Sequence, residues 1–163
     1  MFFGIPIGSF VFVHTLITLV AIASGLAMLS AMLRNQREDI AHTVFLLFSV
    51  LTAITGFMIQ VTPVTPAVAV GAVLSVLLVI ALAARYFYRM QGIWRPIYIV
   101  TATTSLYLNC FVLVFQSFLK VPALHALVPS IPPSGPIFGA TQAVVLIAFI
   151  IAGYFATRRF RPR

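Results

Sequence analysis

The sequence predicts an all-α integral membrane protein, one bundle of five transmembrane helices over residues 1–163, with the N-terminus outside and the C-terminus in the cytoplasm. Three observations predict it. Apolar residues make up 62% of the chain and charged residues 7%, whereas soluble domains carry about 25% charged residues. Five apolar stretches each come near the roughly 20 residues that cross about 30 Å of hydrocarbon. Nine of the ten basic residues fall on one side once those stretches are threaded alternately through a bilayer. The composition excludes a soluble enzyme, a disordered chain and a nucleic-acid-binding domain, although the formal net charge is +8. Basic residues at span ends set topology and need no nucleic acid to explain them.

The first span runs from Phe10 to Leu33, with no basic residue ahead of it. It is too long for the apolar core of a cleavable signal, so it is expected to stay in the mature protein. The second runs from Ile40 to Gln60 and follows a charged loop holding Arg34, Arg37, Glu38 and Asp39. The third, Pro66 to Ala84, follows an uncharged turn at Pro63; its Val and Ala content suits a strand in water, but lipid demands that backbone groups pair within the segment. The fourth runs from Ile97 to Leu119, after a basic and aromatic loop in which Tyr86, Phe87, Tyr88 and Trp94 form an interfacial belt. The fifth runs from Ile137 to Ala156, after a connection with five prolines in which Pro122 starts a short amphipathic helix.

Topology follows from Arg34, Arg37, Arg85, Arg89, Arg95, Arg158, Arg159, Arg161 and Arg163 on one side against Lys120 on the other. The positive-inside rule makes the arginine side cytoplasmic. Glu38 and Asp39 are the only acids, and neither lies inside a span. Paired-carboxylate hydrolysis and proton coupling through a buried acid are therefore not expected. A single cysteine, Cys110, excludes an intrachain disulfide and a CxxC motif.

Polar residues within spans mark helix contacts or sites. At about 100° per residue, Thr101, Ser105, Asn109 and Gln116 fall within one sector roughly 80° wide, with Lys120 close to it. That stripe is expected to face other helices. On the first helix, His14, Thr18, Ala21 and Gly25 share a face, and Ala21 and Gly25 permit close approach of a neighbour. His42, near the start of the second helix, is expected to pair with the adjacent acids. His14 and His42 lie near opposite ends of antiparallel spans, roughly 20 Å or more apart, so they cannot share one haem iron.

The candidate ligand-binding residues are His14, Asn109, Gln116, Lys120, His125 and Gln142. Helices one and five enter from outside, helix four leaves there, and His125 lies in the connection between four and five. The proline-rich connection is long enough to act as a lid over them. Each of these residues also has a structural role available, as interhelical hydrogen-bond glue or as a solvated loop side chain. The expected function is a binding or accessory membrane protein with an outer-facing polar pocket, not an enzyme. Two alternatives use the same residues. One is an electron-transfer protein linked to quinone or to a b-type haem, with His14 and His125 as axial ligands. The other is a small oligomeric channel or transporter whose polar stripe continues inward through Ser49 and Thr52. The expected partners are the lipid bilayer and either further copies of the chain or a larger membrane complex, with no nucleic acid.

The runs FVHTLITLVAIASGL, FLLFSVLTAITGF and YLNCFVLVFQSFLKVPALHAL together resemble a group of small, uncharacterised bacterial multi-pass membrane proteins. The resemblance covers most of the chain and implies a multi-pass protein of the bacterial cytoplasmic (inner) membrane. A looser similarity is to cytochrome b561-type bundles, which implies histidine-held haem. Those bundles place paired histidines on facing helices, whereas this chain offers His14, His42 and His125.

Overall fold

The computed structural model describes residues 7–36, 39–59 and 66–161. The expected turn at Pro63, the charged residues Arg37 and Glu38, and Arg163 lie outside the described residues. Among those described, all regular structure is helical: α1 (Ile7–Leu33), α2 (Asp39–Ile59), α3 (Pro66–Leu82), α4 (Trp94–Lys120), α5 (Pro122–Leu127) and α6 (Pro136–Arg159). α1, α2, α4 and α6 are long and apolar enough to cross a membrane, as is α3 together with the helical turn that carries it on to Phe87.

Local chemistry sets the ends of these helices. Past α1, Asn35 takes a positive φ of 54°, and Gln36 N–H reaches Ala31 O at 2.9 Å while Asn35 N–H reaches Met32 O at 3.2 Å. These two bonds make a Schellman cap, which pairs carbonyls the helix itself leaves open. α2 starts at Asp39, whose carboxylate suits the positive end of the helix dipole. α3 stops earlier than the sequence predicts, because residues Ala83–Phe87 form a π-helical turn. This wider turn re-aims the side chains that follow it, and here Arg85 is buried. α4 ends where Pro122 forces Val121 into an extended conformation. The short helix predicted at Pro122 is present as α5.

α4 is central, packing on α1, α3, α5 and α6 and touching α2. Where α1, α2 and α4 converge, Gly25 leaves room for its neighbours. A Cβ at that position would lie 2.5 Å from a Leu106 methyl and 2.8 Å from the Phe45 ring. The face predicted for α1 is therefore the packed one, and Ala21 on it is fully buried. The predicted stripe of α4 also faces inward: Thr101, Ser105 and Asn109 are all buried.

One end of the bundle gathers the arginines. Arg85 Nη2 donates to Asp39 Oδ1 at 2.9 Å. Arg95 donates to the carbonyls of Thr157 (3.1 Å) and Phe160, filling the open end of α6. Arg161 N–H reaches Asn35 Oδ1 at 2.8 Å. His42 is buried at the same end, but its partner is not the adjacent acid. Its Nδ1 lies 2.6 Å from Tyr98 Oη, while Asp39 turns to Arg85. The helical step from 39 to 42 carries His42 off the solvated edge and onto α4.

Candidate functional site

At the opposite end, α1, α2, α3 and α4 enclose a cavity of about 280 Å³. His14 and Thr18 of α1, Thr52 of α2, and Asn109, Gln116 and Lys120 of α4 supply its polar lining. Apolar walls come from Val11, Phe57, Leu74, Leu108 and Val112. Two glycines keep those walls thin. A Cβ on Gly56 would sit 3.5 Å from His14 Cε1, and one on Gly71 would sit 3.3 Å from the Phe57 ring.

The polar groups are held by neighbours behind them. His14 Nδ1 lies 2.7 Å from Thr55 Oγ1. The Thr55 hydroxyl has one proton, and it donates to Leu51 O at 2.7 Å. His14 therefore donates Nδ1–H to Thr55, which assigns the tautomer and leaves Nε2 as an acceptor. Asn109 Nδ2 donates to Ser49 Oγ at 3.2 Å, which leaves Oδ1 as a second acceptor. Thr52 Oγ1 donates to Thr18 Oγ1 at 3.4 Å and completes the polar floor. Gln116 and Lys120 bring amide and ammonium donors toward the mouth, where Lys120 is exposed.

Among the described residues of the lining Lys120 is the only charged one, and none is a carboxylate. An anionic or acceptor-bearing group is therefore favoured at the mouth, and a hydroxyl donor suits the floor. The cavity lies near the lower end of the roughly 300–1,000 Å³ typical of small-molecule pockets.

Four of the six residues singled out from sequence thus share one cavity, and two do not. Gln142 is buried between α6 and α4, where its Nε2 donates to Phe111 O at 3.1 Å. Its depth along α6 matches the others, but its helical face turns it to the far side of α4. His125, on α5, is half-buried and outside the lining, and no residue of the proline-rich connection lines the cavity. The structure thus does not place His125 opposite His14 in this cavity. Among the described residues no cluster of three or more His, Cys, Asp or Glu side chains is arranged to hold a metal ion.

Sequence reasoning missed Thr55, Gly56 as a wall opposite His14, and the whole α3 contribution around Gly71. The available signal was a small residue beside a threonine at the level of a histidine within the first apolar helix. Comparison with protein-family models, curated protein sequences and solved structures returns no match.

Proposed function

We propose that this chain is a multi-pass protein of the bacterial cytoplasmic membrane that binds a small amphipathic molecule in an outer-facing polar pocket. One observation carries the reading: the free acceptors of His14 and Asn109 and the donors of Gln116 and Lys120 line a single apolar-walled cavity. A ligand with a hydroxyl at one end and an acceptor or anionic group at the other satisfies all four. A quinol has the first of these features on a flat head, and the free imidazole nitrogen of His14 favours it as an alternative within the same reading. Binding is preferred to conduction because Phe45, Leu46, Ala102 and Leu106 pack without exposure beyond the polar floor.

The test uses purified full-length protein in mild detergent with two probes, a decyl-tailed quinol and decanoate. At least one should raise the thermal midpoint. His14→Leu or Asn109→Leu should weaken that probe about five- to tenfold, the worth of one hydrogen bond. Failure of both probes to bind, or unchanged binding to both variants, overturns the reading.

A further inference from the structure

A second concavity lies between α4 and α6, a groove of about 440 Å³ that shares no residue with the first cavity. Its α6 wall carries Leu146, Ile150 and Tyr154, one row at four-residue spacing. Val100, Thr104 and Tyr107 form much of the α4 wall. α6 is the least buried of the five long helices, so this face is open to whatever surrounds the bundle.

Three features of the groove point to one occupant. The first is length: Leu146 to Thr157 covers twelve residues, a rise of about 16 Å, close to half of a hydrocarbon core of about 30 Å. The groove is thus as long as one leaflet is deep. The second is charge. Arg158 continues the row of Leu146, Ile150 and Tyr154, with its guanidinium carbon 5.4 Å from the Tyr154 ring centroid. Arg159, over Phe155, lies on another face of α6, because Phe155 does not line the groove. Both are exposed, and among the described residues neither has a carboxylate partner. Arg95, by contrast, is occupied with the α6 carbonyls. The third is hydrogen bonding. Thr157 donates to its own helix backbone, but the Thr103 hydroxyl is buried without a partner, and the Thr104 and Tyr107 hydroxyls on the groove wall have none among the described residues either. Ester carbonyls would supply acceptors for them, and plain hydrocarbon would not.

We propose that this groove holds an acyl chain of an anionic phospholipid from the cytoplasmic leaflet, with its phosphate at Arg158. The inference rests on the membrane topology described above and not on the outer pocket. Basic side chains at the cytoplasmic end of an interhelical groove are the arrangement that selects anionic head groups.

The experiment incubates the purified full chain with equal phosphatidylglycerol and phosphatidylcholine and counts retained lipids by native mass spectrometry. Wild type should retain phosphatidylglycerol preferentially. Arg158→Gln should cut that preference about fivefold, Arg158→Lys should keep most of it, and Arg159→Gln on the other face should leave it nearly unchanged. Gly153→Leu, which fills the groove, should lower retention of both lipids. Equal retention of the two lipids by wild type, or undiminished selectivity in Arg158→Gln, overturns the proposal. So does efficient disulfide cross-linking of Ile150→Cys in a Cys110→Ala background at high lipid-to-protein ratio, because a second copy would then occupy the face. Carbonate extraction separates the two levels. Release of the protein from membranes would remove the topology itself, whereas firm retention with no lipid selectivity would remove only the groove assignment.

Discussion

His14 Nδ1 stands 2.7 Å from Thr55 Oγ1, and this contact decides which imidazole nitrogen is open to the cavity. Thr55 has already committed its proton to Leu51 O, so the histidine must donate. The prediction is a neutral imidazole protonated at Nδ1, read from the two ¹⁵N resonances of His14. Thr55→Val should release the ring and give a mixed tautomer population. An Nε2-protonated ring in wild type would contradict the donor assignment.

Asn109 and Ser49 should behave as a coupled pair. Asn109→Leu removes the bond to Ser49 Oγ and should cost about 0.6 kcal/mol, at most about 2 kcal/mol. In a double-mutant cycle with Ser49→Ala, measured by reversible unfolding in mixed micelles, the two losses should not add. Additive losses would mean that the bond contributes nothing.

Gly25 and Gly56 should respond differently to the same added methyl group. At Gly25 a Cβ would collide with Leu106 and Phe45, so Gly25→Ala should destabilise the bundle by about 1–3 kcal/mol. At Gly56 the nearest atom is His14 Cε1 at an ordinary contact distance. Gly56→Ala should leave stability nearly unchanged while reducing ligand binding, and thermal midpoints with and without probe separate the two effects.

The Arg85–Asp39 pair is unevenly buried, with the arginine side chain 8% exposed and the aspartate 60% exposed. Removing the aspartate leaves a guanidinium charge buried without its counter-ion, whereas removing the arginine removes that charge. Asp39→Leu should therefore be more destabilising than Arg85→Met, by about 1–2 kcal/mol given that one partner is solvated. The reverse order in unfolding measurements would mean that stacking on Tyr86 and Tyr98 outweighs the ion pair.

Topology is open to a direct test. A reporter fused after Arg163 should behave as cytoplasmic, and one inserted near Ser134 as external, in line with the nine-to-one distribution of basic residues. The opposite pattern would place the cavity mouth on the inner side.

Much of this architecture was legible in the sequence because apolar runs of this length leave few choices. Span number and length follow from apolar runs, and helical geometry follows from the need to pair every backbone group. Helical periodicity then showed which face of α4 turns inward, and Asn109 and Gln116 lie on the face it indicated. The close approach at Gly25 was readable for the same reason, since a small residue on a packed face permits contact whatever the neighbour is.

Periodicity gives a direction from one helix axis; it does not say which helix stands there. Only the packing of α1, α2, α3 and α4 decided that His14 meets Thr55, that Gly71 of an otherwise featureless α3 forms a cavity wall, and that Asp39 turns to Arg85 while His42 meets Tyr98. Gln142 shows the limit most clearly. Its depth matched that of the other polar residues, yet its side chain serves the α4–α6 contact, because depth follows from residue count along a helix whereas the partner follows from the rotation and neighbours of that helix. Composition and spacing by themselves determined five apolar helices with a basic end and an inward polar stripe. Which of those polar groups share one cavity was decided by long-range contacts, which arise only when the helices pack.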